Sequence, residues 1–124
     1  DALPILLSGV FDKHPNLKIV LGHFGEALPF WLPRIHESFC RPGNEQVDFE
    51  GIFKKNFWLT TSGFFSDNAL ELCLRVMGED KIMFAVDWPY ADNLTGVNWL
   101  KNAPIQSETK NKIFSKNSIE FLKL

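Results

Sequence analysis

Apolar residues recur first at helical spacing, then in a short unbroken run, and the alternation repeats along the chain. Leu3, Leu6, Leu7 and Val10 fall on one face of a predicted first helix. Pro4 suits its first turn, and His14-Pro15 ends it. The run Lys18-Ile19-Val20-Leu21, stopped by Gly22, reads as a buried strand of parallel type. Leu28, Trp31, Leu32, Ile35 and Phe39 return to helical spacing, with Pro29 in the first turn and Pro33 expected to remove a hydrogen bond and bend the helix. Arg41-Pro42-Gly43-Asn44 is a loop, and Phe49 to Lys55 a short helix. Phe57 to Thr61 is aromatic and β-branched, hence a second strand ending at Ser62-Gly63. Ser66 and Asp67 are placed to cap a helix whose face is Ala69, Leu70, Cys73, Leu74 and Met77, with Gly78 as its stop. Lys81 to Val86 is a third strand, followed by helices over Leu94 to Lys101 and Ser107 to Ser115 and an apolar tail from Ile119.

Helices between successive strands imply parallel pairing through right-handed crossovers, so residues 1–124 read as a single α/β unit. In such folds, ligands bind at the carboxyl ends of the strands. Those ends are Gly22-His23-Phe24-Gly25-Glu26, Thr60-Thr61-Ser62-Gly63 and Asp87-Trp88-Pro89-Tyr90. Three polar, turn-rich ends in one short chain point to a shared functional rim.

Composition narrows the classes. Thirteen basic residues against fifteen acidic ones, a net charge of −2, provide no basic face for a phosphate backbone, which argues against nucleic acid as a partner. No apolar stretch is long enough to span a membrane, and no signal-peptide pattern is present. Two cysteines, Cys40 and Cys73, are too few for a disulfide scaffold. They are expected to be reduced and buried, in a cytoplasmic protein. The first residue is Asp, and the chain opens directly into a helical pattern. With twelve Phe and four Trp, this suggests part of something larger.

His23, flanked by Gly22 and Gly25 at a strand end, has the chemistry of a general acid/base or a metal ligand; a loop histidine bonded to backbone is the other reading. Asp87 closes an apolar strand, where a carboxylate meets a metal, a cation or several donors, or else caps the following turn. Pro89 restricts the backbone beside it. Glu26 either complements a helix N-terminus or fixes the tautomer of His23. Arg34 suits a substrate carboxylate or a surface ion pair. Thr60, Thr61 and Ser62 are candidates for a substrate oxygen, and His14 and His36 are expected on polar surfaces. Gly22 to Gly25 is too short for a phosphate loop, which disfavours a nucleotide-binding domain.

The stretch Lys18-Ile-Val-Leu-Gly-His-Phe-Gly-Glu-Ala-Leu-Pro-Phe-Trp-Leu-Pro-Arg-Ile-His resembles the sixth-strand region of amidohydrolase-related metal-dependent enzymes, the group that includes γ-resorcylate decarboxylase and aminocarboxymuconate-semialdehyde decarboxylase. Asn56 to Gly63 resembles that family's seventh strand and Phe84 to Tyr90 its eighth, while Ser107 to Leu124 resembles its closing helices. The resemblance implies a partial (β/α)8 TIM barrel, about the last three β/α units plus C-terminal helices, and a divalent metal, zinc or manganese, once the barrel is complete. It makes Asp87 the metal ligand, His23 the group acting on substrate and Glu26 its support. The implied reaction is non-oxidative decarboxylation of an aromatic or unsaturated carboxylic acid, with a metal-dependent hydrolase of the same superfamily as the alternative.

The family's first-strand His-x-His or Glu-x-His pair has no counterpart in this chain, and its fifth-strand histidine is expected before residue 1. Asp87 alone cannot make a site that needs about three protein ligands. Three strands also cannot close a barrel. Completion is therefore expected from another copy, a separate N-terminal chain, or an N-terminal part lost by cleavage. The reading from a different class is a non-catalytic, truncated oligomeric module.

Overall fold

The structure, a computed structural model, describes residues 2–44 and 46–124, with side chains from Pro4 onward. The first helical pattern resolves into two helices, α1 (Ala2–Leu7) and α2 (Val10–Lys13). Gly9 separates them at φ 73°, a left-handed conformation in which glycine avoids the Cβ penalty. The single predicted helix is thus corrected: Leu6 is buried, but Leu7 is 41% exposed, because the break re-aims the face. The predicted inward position of Leu3 lies outside the described side chains.

Strand β1 (Ile19–Leu21) leads through a tight turn at His23–Gly25 into α3 (Leu28–Phe39). That helix continues through Pro33 and buries Leu32 fully, but leaves Trp31 half-exposed, off the apolar face expected of it. Helix α4 (Phe49–Asn56) starts where the Asp48 carboxylate accepts from Gly51 N–H at 3.0 Å, and it runs directly into β2 (Phe57–Thr60). The Ser66 hydroxyl accepts from Ala69 N–H at the head of α5 (Asp67–Met77), and Gly78 ends that helix at φ 85°. Strand β3 (Ile82–Met83) follows, then α6 (Asn93–Asn102), α7 (Ser107–Asn111), a π-helical turn over Lys112–Lys116, and α8 (Asn117–Leu122).

The strands form one parallel sheet in the order β1-β2-β3, with Leu21 opposite Leu59 and Leu59 opposite Ile82. Ile19, Leu21, Phe57, Leu59 and Ile82 face the helices and join the core, while Val20 on the other face is 40% exposed. The third strand is shorter than predicted. Beyond Met83 its backbone bonds elsewhere: Phe84 N–H donates to the Ile113 carbonyl at 2.8 Å, and Ala85 is held by the Thr61 hydroxyl. That hydroxyl donates to Ala85 O at 2.6 Å and accepts from Ala85 N–H at 3.0 Å, a side chain standing in for a ladder rung.

Aromatic rings connect the layers. Phe11 of α2 meets Phe57 of β2 at 5.5 Å, Phe57 meets Phe53 of α4 at 4.9 Å, and the series continues through Phe49 to Phe39 of α3. Much of the phenylalanine content is therefore internal; the outward exceptions include Phe30, Trp31, Phe64 and Trp88.

The cysteine expectation is half corrected. Both are free, but only Cys73 is buried, and burial pushes its thiol up to about 12. Cys40 sits past the end of α3, where the helix gives out, and is exposed, 3.6 Å from His36 Nε2. His36 itself is not on a purely polar surface: its Nδ1 accepts from Glu50 N–H at 3.4 Å, tying α3 to the start of α4. A thiol reagent is expected to modify one cysteine in the native chain and both in denaturant; rapid labelling of both in the folded protein would contradict the burial of Cys73.

Two buried amides hold the strand ends. Asn56 Nδ2 donates to the carbonyls of Pro15 and Leu17, and Asn117 Nδ2 to those of Glu79 and Ile82 at 2.7 Å each. Asn117→Ala leaves both carbonyls beside a buried void, which is expected to cost about 1–3 kcal/mol. Urea unfolding checks this; an unchanged midpoint would refute the role.

Candidate functional site

The three carboxyl ends meet at one rim. After β1, Gly25 N–H donates to Gly22 O at 2.7 Å and Glu26 N–H to His23 O at 2.9 Å, closing a tight turn. Phe24 pins the turn from below: its ring is 1% exposed and lies 6.0 Å from Phe64 and 6.3 Å from Trp99. Gly25, at φ 73°, passes so close to Leu59 that a Cβ there would lie 2.9 Å from Leu59 Cδ2. With its neighbour buried and its backbone bonded, His23 is left with its side chain outward, 44% exposed.

After β3, the backbone carbonyl of Asp87 accepts from Tyr90 N–H at 2.8 Å and Ala91 N–H at 3.1 Å. The following turn is therefore capped by main chain, and the carboxylate is available for another partner. Asp87 Oδ2 lies 3.5 Å from His23 Nε2. On the other side of the ring, Glu26 Oε1 lies 3.4 Å from His23 Nδ1. One imidazole thus stands between two carboxylates.

The rim is strained as well as polar. His23, Phe24, Glu26 and Asp87 have φ of 48°, 54°, 55° and 75°. A non-glycine residue in this region costs on the order of 1 kcal/mol or more, and such costs gather at functional sites. The Trp88–Pro89 peptide bond is cis.

The sequence-derived candidates separate cleanly. His23, Glu26 and Asp87 come together. Arg34 does not join them: it is exposed on α3 and its guanidinium bonds Glu37 at 3.3 Å. Arg41 and then Arg34 hold the Glu37 carboxyl below the usual range, as in an ordinary surface ion pair. Thr61 is fully buried and its hydroxyl is occupied by Ala85, whereas Thr60 Oγ1 and Ser62 Oγ bond each other at 2.8 Å beside the rim. Gly63 was not singled out as a site residue, yet a Cβ on it would lie 3.1 Å from Asp87 Oδ2; its position at the tip of β2 was the available signal.

Among the described residues, no group of three His, Cys, Asp or Glu side chains is placed to hold a metal ion. Asp87 offers one carboxylate, and His23 and Glu26 are turned to each other. These residues alone do not fit a catalytic metal, which needs about three protein ligands. No helix among them is long and apolar enough to cross a membrane.

The chain is similar in sequence and fold to known proteins. The γ-resorcylate decarboxylase of Polaromonas sp. (strain JS666) is 37% identical over 131 residues, covering 99% of this chain and 39% of its own length. The 2-amino-3-carboxymuconate-6-semialdehyde decarboxylase of Dictyostelium discoideum is 31% identical over 128 residues, covering 97% and 35%. The crystal structure of a dihydroxybenzoic acid decarboxylase from Polaromonas sp. JS666, with bound manganese and the inhibitor 2-nitroresorcinol, superposes with a TM-score of 0.92 at 36% identity, over 99% of this chain and 39% of that one. The chain thus spans about 39% of the length of the first of these relatives, and its three parallel strands with their helices form part of an amidohydrolase TIM barrel. The sequence profile described as amidohydrolase matches residues 2–124, and the chain belongs to that family.

Proposed function

We propose that this chain supplies the His23–Asp87 side of a metal-dependent decarboxylase active site, acting on an aromatic carboxylic acid of the dihydroxybenzoate type once the barrel is complete. The observation that carries this reading is the His23 ring between Glu26 and Asp87, at the carboxyl rim of a chain 37% identical to a γ-resorcylate decarboxylase over 99% of its length.

The roles in this reading rest on the place of each residue at the rim and on the family resemblance. Non-oxidative decarboxylation breaks one C–C bond, releases carbon dioxide and places a proton on the carbon left behind. His23 holds that proton at Nε2 and faces the rim. Glu26, 3.4 Å from Nδ1, is the support of His23 in this reading. Asp87 is one of the metal's ligands in this reading, with the others outside the chain. A divalent metal would polarise the substrate carboxylate and an adjacent oxygen. Manganese is the ion favoured by the manganese-bound relative, and zinc is the other candidate. A cytoplasmic setting accords with the two free thiols, and association with a second copy or with the rest of a barrel would cover Val20 and the exposed aromatics.

One observation favours a second reading, a non-catalytic module of the same family: the described residues lack a three-ligand metal cluster. Assay of the completed barrel with manganese and 2,6-dihydroxybenzoate separates the two, by release of carbon dioxide.

In that assembly, Asp87→Asn is expected to abolish metal-dependent turnover while circular dichroism stays unchanged; retained turnover would end the assignment. His23→Ala is expected to lower turnover by about 10²–10⁴-fold with metal content near normal. Loss of the metal instead would make His23 a ligand and not the acid.

A further inference from the structure

The opposite end of the sheet has a different chemistry. Lys18 immediately precedes β1 and Lys81 immediately precedes β3, and both reach toward Trp58, the second residue of β2. Lys81 Nζ lies 3.3 Å from the centroid of the Trp58 ring, and Lys18 Nζ lies 5.0 Å from the same centroid. Lys18 Nζ is also 5.3 Å from Phe121 of α8, whose ring packs edge-on against Trp58 at 5.1 Å. Lys81 Nζ donates to the Lys55 carbonyl at 2.9 Å, which leaves it with donor capacity to spare.

These groups border a cleft of about 330 Å³, whose wall also holds Asp80, Asn117 and Glu120. An adjoining cleft shares Lys18 and Trp58 and adds Lys55 and Lys123. The carboxylates do not neutralise the pair. Asp80 is engaged by Lys112 at 2.8 Å, and among the described residues neither Lys18 nor Lys81 has a carboxylate within 4.0 Å. Burial and then the charge of Lys18 bring the Lys81 ammonium down to about 8. Lys81, partly removed from water over the Trp58 ring, and the exposed Lys18 beside the same ring carry like charges with no carboxylate partner among the described residues, and an anion bound to both stabilises them.

We propose that this cleft is an oxyanion site, separate from the His23–Asp87 rim, that takes a phosphate or carboxylate group between Lys18 Nζ and Lys81 Nζ. Both lysines present compact, rotatable donors suited to the separate oxygens of one anion. The site does not depend on the decarboxylase reading, since its residues lie at the amino ends of the strands and the rim at the carboxyl ends.

Calorimetric titration of the intact chain with sodium sulfate, against sodium chloride of matched ionic strength, tests this. Sulfate is expected to bind saturably at one site. Lys81→Met is expected to weaken it about tenfold and Lys18→Met severalfold, while Lys81→Arg keeps most of the affinity. Sulfate keeps its charge across the range, so affinity falling from about pH 6.5 to about pH 9.5 reports the loss of protons from Lys81, with Lys18, Asp80 and Glu120 as the other charged groups at the cleft. Phosphate displacing sulfate better than benzoate does assigns a phosphate ligand; the reverse assigns a carboxylate; displacement by neither overturns the site. Non-saturable heat, or unchanged affinity in both methionine variants, also overturns it. So does loss of binding in His23→Ala, which would move the anion to the rim. Should Lys81→Met fail to fold by circular dichroism, Lys18→Met and the pH series decide alone.

Discussion

The site depends on how a gap of two strands is crossed. Parallel neighbours lie about 4.8 Å apart, so the ends of β1 and β3 are separated by about twice that, with β2 between them. His23 follows one outer strand and Asp87 the other, yet their side chains approach to 3.5 Å. They meet because the tip of β2 carries Gly63, whose missing side chain leaves the carboxylate its place. Below the tip, the strands are tied by buried polar side chains: Asn56 to the segment before β1, Thr61 to Ala85, and Asn117 to the start of β3. A buried amide or hydroxyl without its partners costs more than it gains with them, so these groups define one register. The rim inherits its geometry from that register.

Most of this was legible in the sequence. The strand at Phe57, the Ser66 cap, the Gly78 stop and the three polar strand ends are local signals that the tertiary structure leaves intact. Misreadings arose where a non-local contact or a glycine conformation overrode periodicity. Gly9 breaks a helix whose apolar spacing runs straight through it. The third strand loses its end to the Ile113 carbonyl, which is twenty-nine residues beyond Phe84 and invisible to any pattern. Cys40 is exposed because α3 stops one residue earlier. At the site, the chemistry of His23, Glu26 and Asp87 was readable from residue type and strand position, while Gly63 showed only in its position past the end of β2, since a missing side chain leaves no chemical signal.

Arg34 and Glu26 show why residue type alone does not assign a role. Both are charged, one just before α3 and one within it, and both suit a substrate-binding or orienting function. The backbone decides between them. Glu26 precedes the helix at φ 55°, a conformation that aims its carboxylate back at His23. Arg34 lies two turns along α3, where helical geometry carries it outward to Glu37. The same reasoning bounds the metal question. A barrel gathers its site from the ends of several different strands, and these three bring His23, Glu26 and Asp87 to one rim.

The strain at the rim bears on function more directly than any single contact. Left-handed backbone at His23, Phe24, Glu26 and Asp87 disfavours the folded state locally, and persists only where the surroundings over-determine it. Phe24 is the means: by burying one ring under the turn, the chain forces its neighbours on both sides to stay in the unfavourable region. Neither ion contact of His23 is short enough to hold the turn, so its shape comes from the packing of Phe24. The turn is therefore shaped from the core outward to present the imidazole, and the two carboxylates meet a ring that is already in place.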